Sequence, residues 1–194
     1  MWTIPNQITV FRIILIPVFV VIFYLPISWN QFGAFAVFWL ASVSDGLDGY
    51  LARRLNQSSP FGAFIDPVAD KLMVVCSLVM ISEHYGQWYV TVPAAIIISR
   101  EILVSALREF MSSRGVRDVI AVSNMGKWKT ACQMLGIMGL IWYPDYDVPL
   151  VLFDFPHIIL NVAAWIFYAV ATVLTIWSLI SYLKAAWPEL MSKK

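Results

Sequence analysis

All thirteen Lys and Arg residues lie at or near alternate ends of long apolar runs, which constrains the fold more than any other feature of this chain. They are Arg12, Arg53, Arg54, Lys71, Arg100, Arg108, Arg114, Arg117, Lys127, Lys129, Lys184, Lys193 and Lys194. The three intervening stretches, 25–33, 83–89 and 143–155, hold no Lys or Arg, and the last carries Asp145, Asp147 and Asp154. A helix rises 1.5 Å per residue, so about 20 apolar residues cross a hydrocarbon core of about 30 Å. On that measure the sequence predicts spans near 8–24, 35–55, 62–82, 88–110, 125–142 and 157–182. Cytoplasmic loops carry the excess of Lys and Arg, which puts both termini in the cytoplasm.

The expected fold is therefore an all-α polytopic membrane protein, with six transmembrane helices, a short N-terminal interfacial segment and both termini cytoplasmic. One domain, 1–194, accounts for the length. A composition 60% hydrophobic and 13% charged, with a mean hydropathy of +0.76, excludes ordinary soluble usage. A net charge of +1 says little about partners. The lipid bilayer is an expected partner and nucleic acid is not. Cys76 and Cys132 sit in apolar runs, where a thiol packs as a small hydrophobe. The start of the chain lacks a basic region and an A-x-A site, so no cleaved signal peptide is expected. Trp29, Trp88, Tyr89, Trp142, Tyr143 and Tyr146 fit an aromatic belt on the face away from the cations.

Against this background one acidic stretch stands out. Asp45, Asp48, Asp66 and Asp70 are four of the twelve acidic residues and fall within one short segment. On helices, spacings of three and four put Asp45 with Asp48, and Asp66 with Asp70, on single faces. Unpaired carboxylates in apolar surroundings repel one another and are costly to desolvate. Two divalent cations relieve both penalties, and carboxylate oxygens suit Mg²⁺ or Mn²⁺. Gly46, Gly49 and Gly62 allow a nucleotide or a neighbouring helix to approach the backbone closely. Arg53, five residues beyond Asp48, carries a planar fork suited to phosphate oxygens. Ser58 and Ser59 precede Pro60 in a polar turn, placed to cap the next helix. Pro67 is expected in the first turn of that helix, where no intrahelical N–H bond is lost.

The pattern D-x2-D-G-x2-A-R-x8-G-x3-D-x3-D, running Asp45, Asp48, Gly49, Ala52, Arg53, Gly62, Asp66, Asp70, resembles the signature of the CDP-alcohol phosphotransferases. These integral membrane enzymes move a phosphoryl-alcohol group from a CDP-activated donor to an alcohol. The resemblance implies two divalent cations, Mg²⁺ or Mn²⁺, held by Asp45, Asp48, Asp66 and Asp70, with Asp70 also the general base. It implies CDP-diacylglycerol as donor, bound by Gly49, Arg53, Ser59 and Gly62. Ahead of the first span, P-N-x-[IL]-T-x-x-R resembles the segment that in many of these enzymes helps hold the donor's pyrophosphate, which adds Asn6 and Thr9. The residues themselves also permit a plainer role, in which Asn6 and Thr9 cap and Arg12 reaches the interface. A homodimer is implied by resemblance only.

A second cluster, Arg100, Glu101, Arg108, Lys127 and Lys129, lies within or beside apolar runs. Charges there are costly and usually line a functional cavity, although Arg108 and Lys129 can also snorkel at the rim. The functional alternative is a pocket for an acceptor carrying its own phosphate. The R-E-x6-R and G-K-x-K-T elements, Arg100–Glu101–Arg108 and Gly126–Lys127–Lys129–Thr130, are similar to those of the bacterial branch of the family that takes glycerol 3-phosphate. That similarity makes Arg100, Arg108 and Lys127 the expected acceptor-phosphate ligands, and the bacterial inner membrane the expected location. His84 and His157 fall in the cation-free stretches and are expected to be interfacial. Two other classes share some of these features. Membrane prenyltransferases also use Asp-x2-Asp pairs but lack the D-G-x2-A-R element, and ion transporters carry intramembrane Asp without this clustering at one interface.

Overall fold

One stripe of the first helix is polar near its start and aromatic near its end, and both halves face inward. Helix α1 (Ile4–Tyr24) buries Asn6, Thr9, Arg12, Leu15, Phe19 and Phe23 at three- and four-residue steps. The opposite face exposes Phe11, Ile14, Val18 and Val21. Beside lipid tails an apolar exterior is at no disadvantage, and the polar groups find partners inside. The structure, a computed structural model, describes residues 4–55, 60–115, 124–144, 148–149 and 154–191.

Five further helices follow among the described residues: α2 (Asn30–Leu55), α3 (Pro60–Tyr85), α4 (Trp88–Ser113), α5 (Asn124–Ile141) and α6 (His157–Leu190). Between α5 and α6, β1 (Val148–Pro149) pairs antiparallel with β2 (Asp154–Phe155), Val148 facing Phe155. Each expected span has its helix. The N-terminal segment is the opening turns of α1 and not a separate element, and α6 runs past residue 182 to Leu190. Among the described residues, α1, α4 and α6 are long and apolar enough to cross a membrane. The other three carry Asp, Arg or Lys along their lengths, which lowers their hydropathy. The expectation for Pro67 needs correcting. Because α3 begins at Pro60, Pro67 lies inside the helix, where it removes a backbone donor from the carbonyl one turn earlier.

Side-chain contacts fix the directions of the helices. The start of α1 meets late α2 and early α3 through Arg12–Asp45 and Thr9–Asp66. Its end meets the end of α3 through Tyr24–Glu83. Early α5 meets α4 through Lys129–Glu101, and the Tyr85 hydroxyl near the end of α3 donates to the Leu140 carbonyl near the end of α5. Helices α4 and α6 run side by side, with contacts at Val90–Tyr168, Arg100–Ser178 and Arg114–Glu189. Consecutive helices therefore alternate in direction. Among the described residues, the buried charged side chains gather where α1, α3 and α5 begin and α2, α4 and α6 run towards their ends, whereas Asn161, at the start of α6, is buried at the other end and donates to the Pro144 carbonyl.

The core towards the other end is apolar. Phe19 packs with Phe38 at a ring separation of 6.3 Å, among Leu78, Ile81, Ile97, Ile137 and Leu140. Helix α5 lies unusually close to α6. A Cβ added at Gly139 would stand 2.4 Å from the Ala164 Cβ, and one at Gly136 would stand 2.8 Å from the Tyr168 backbone nitrogen. Small residues at such crossings let two backbones approach and gain dispersion contact without a hydrophobic driving force.

Candidate active site

Alternating direction brings the acidic face of α2 and α3 against the polar start of α1. Arg12 is 1% exposed, and its Nη1 donates to Asp45 Oδ1 at 2.7 Å. The Asp45 side chain remains 50% exposed, so the pair has a buried cation and an open carboxylate. The Thr9 hydroxyl donates to Asp66 Oδ1 in a close contact. Asn6, Thr9 and Gly62 are all buried at this end. Asp45 and Asp70 line one narrow crevice with Arg12, Ser42 and Met134.

Asp70 also faces the other way. It is part of the wall of a cavity of about 470 Å³ between α3, α4, α5 and α6. Lys71, Arg100, Arg108 and Lys129 line that cavity against two carboxylates, Asp70 and Glu101. The excess of positive charge suits a dianionic guest. Arg100 is 8% exposed; its Nη2 donates to Ser178 Oγ at 2.7 Å and its Nη1 to Glu101 Oε1 at 3.1 Å. Lys129, 3% exposed, donates to the same Glu101 oxygen. Arg108 donates to the Tyr182 hydroxyl at 2.8 Å, and the Tyr182 ring lies under both guanidinium groups, at 5.5 Å from Arg100 and 5.4 Å from Arg108. Stacking and hydrogen bonding of this kind hold a planar fork in one orientation.

Of the residues expected to act, the structure brings Asn6, Thr9, Asp45, Gly62, Asp66 and Asp70 to one end of the bundle, and Arg100 and Arg108 into the adjoining cavity. Asp48, Gly49 and Arg53 belong to the last turns of α2 and Lys127 to the first turn of α5, but the side chains of Asp48, Arg53 and Lys127 lie outside the described residues. Ser58 and Ser59 lie outside the described residues altogether. The plainer role considered for Arg12 and Lys129, reaching outward to the interface, does not hold: both are buried and ion-paired. Arg12 had a signal in its three-residue steps from Asn6 and Thr9. Ser178 and Tyr182 had none, since hydroxyls on an apolar helix are common. His84 lies at the far end, its ring edge-on to Phe23 at a separation of 5.6 Å.

The donor set fits hard divalent cations, being carboxylate oxygens on two adjacent helices, three of them in the described part of this end. Among the described residues no three acidic, His or Cys side chains form one metal-sized group; Asp48, whose side chain lies outside the described residues, stands one turn past Asp45. Arg12 and Thr9 hold Asp45 and Asp66 in place.

A helical membrane protein with an acidic crevice and a basic cavity joined at one aspartate belongs to the class of proteins that handle phosphate-bearing ligands inside a bundle. More narrowly, this chain belongs to the CDP-alcohol phosphatidyltransferase family, whose profile matches residues 2–177. It is 47% identical over 192 residues to a protein of Escherichia coli (strain K12) described as CDP-diacylglycerol--glycerol-3-phosphate 3-phosphatidyltransferase, covering 99% of both chains. Proteins of the same description from Shigella sonnei (strain Ss046) and Shigella flexneri serotype 5b (strain 8401) are also 47% identical over 99% of each chain.

Proposed function

We propose that this chain transfers the phosphatidyl group of CDP-diacylglycerol to the primary hydroxyl of glycerol 3-phosphate, giving phosphatidylglycerophosphate and CMP. The observation that carries the reading is the cavity in which Asp70 shares a wall with Arg100, Arg108 and Lys129. A phosphate monoester seated on those cations places its far hydroxyl towards the carboxylate. The full-length similarity to relatives described by that activity supports the same substrates.

Asp45, Asp48, Asp66 and Asp70 would hold two divalent cations, Mg²⁺ or Mn²⁺, which supply positive charge to the donor's pyrophosphate. Arg100, Arg108 and Lys127 grip the acceptor's phosphate, with Lys129 beside them. Asp70 accepts the proton of the attacking hydroxyl as its oxygen bonds to the phosphorus bearing diacylglycerol. The bond from that phosphorus to the CMP oxygen breaks in line with the attack. Asn6, Thr9, Gly49, Arg53, Ser59 and Gly62 bind the CDP-diacylglycerol head. Arg12, through Asp45, keeps the acidic wall in register.

In this reading the whole chain, 1–194, is one membrane domain that crosses the bacterial inner membrane six times. Both termini and the carboxylate end face the cytoplasm, where a water-soluble acceptor is available. A homodimer is part of the proposal by family likeness. The test incubates purified protein with CDP-diacylglycerol, Mg²⁺ and, separately, glycerol 3-phosphate, glycerol, serine or inositol, and follows CMP. Release with glycerol 3-phosphate alone is expected. Equal release with an uncharged alcohol would remove the acceptor assignment, and release of pyrophosphate in place of CMP would remove the reaction class.

A further inference from the structure

One polar side chain of the cavity has no duty in the mechanism above. Gln133 follows Lys129 by four residues on α5, so the two share a helix face. It is 3% exposed and lines the cavity, and its Oε1 is buried without a hydrogen-bond partner. A buried carboxamide oxygen left unsatisfied is costly, and native proteins rarely keep one without a use. Among the described residues every other neutral polar group in the wall is engaged: Ser105 donates to the Glu101 carbonyl, Tyr182 accepts from Arg108, and Thr130 makes contacts of its own.

Taking the proposed acceptor as given, its polar groups divide by chemistry. The dianionic phosphate suits the cations. The primary hydroxyl suits Asp70, which must take its proton. What is left is the middle hydroxyl, a neutral group that donates one hydrogen bond and calls for a neutral acceptor. We infer that Gln133 receives the hydrogen bond of the acceptor's secondary hydroxyl and so selects a vicinal diol phosphate over a phosphate that lacks that group. In this role Gln133 is a specificity-determining residue and takes no proton.

The test compares glycerol 3-phosphate with 3-hydroxypropyl phosphate, which differs only by the missing secondary hydroxyl, as acceptors for purified protein with CDP-diacylglycerol. A site that hydrogen-bonds a hydroxyl discriminates against the analogue lacking it, here by about 10- to 100-fold in kcat/KM. Gln133→Met keeps the length and removes the acceptor atom. It should lower kcat/KM for glycerol 3-phosphate by about tenfold or more and leave the analogue within about twofold, collapsing the preference. Gln133→Glu keeps an acceptor oxygen and should keep the preference, while its negative charge near the phosphate raises KM for both compounds. An equal loss on both acceptors in Gln133→Met, or an unchanged preference, would overturn the inference while leaving the proposed function standing. If the wild-type protein releases CMP with neither phosphate, the proposed function and this inference fall together. Should Gln133→Met not fold, loss of the preference in a folded Gln133→Glu would also overturn it.

Discussion

Arg12 shows how a single side chain is made tolerable in an apolar bundle. A guanidinium removed from water is costly unless its donors are used, and here Asp45 supplies an acceptor at 2.7 Å. The same logic holds Lys129 and Arg100, which converge on one oxygen of Glu101. Asp70 is different: it lines both the crevice of Asp45 and the large cavity, and it is the group we place at the reacting hydroxyl. Asp70→Asn keeps the shape and removes the proton acceptor. The variant should fold normally, with an unchanged melting profile in detergent, and lose about 10²- to 10⁴-fold in turnover or more. Near-normal CMP release from that variant would take Asp70 out of the base role.

At the scale of elements, position within the helix decides which part of each face does chemistry. α1 is polar inside for its first turns and aromatic inside thereafter, because only the first part borders the carboxylates of α2 and α3. Helix α5 depends on glycine at its crossing with α6. A leucine at Gly139 would drive its Cβ into Ala164, whose Cβ already stands 2.4 Å from that position. Overpacking of this kind costs about 1–3 kcal/mol, and here it would also displace Lys129 and Gln133, which share the helix. Gly139→Leu should therefore lower the detergent melting temperature and weaken glycerol 3-phosphate binding together. A variant with wild-type melting would mean that the two helices are not held this closely. Pro67 sits in the cavity wall, and its missing backbone donor frees a carbonyl of the preceding turn of α3, the turn that carries Asp66.

For the whole molecule, the alternating helix directions turn a list of charges into one working face. With cations near the starts of odd helices and the ends of even ones, the ion pairs among the described residues meet at the same end, and the opposite end keeps aromatic rings and the short β pairing. Orientation can be tested in a background lacking Cys76 and Cys132. A cysteine at exposed Ser28 should react with a membrane-impermeant maleimide added to intact spheroplasts, and one at exposed Ser113 only after permeabilisation. The reverse pattern would invert the proposed topology and place the carboxylates outside. Helix number, most helix limits (though not the end of α6, which runs on to Leu190) and the acidic stretch were legible in the chain itself, because hydropathy and i, i+3 or i, i+4 spacing are local properties. The family followed from the same stretch, since its spacing is read along one dimension. What only the tertiary structure decided is which charges meet. Arg12 with Asp45, Glu101 with Lys129 and Tyr182 under two arginines join different helices, through residues 28 or more positions apart in sequence. Such pairs depend on how helices are rotated about their axes and how closely they approach, and that is set by packing across the whole bundle.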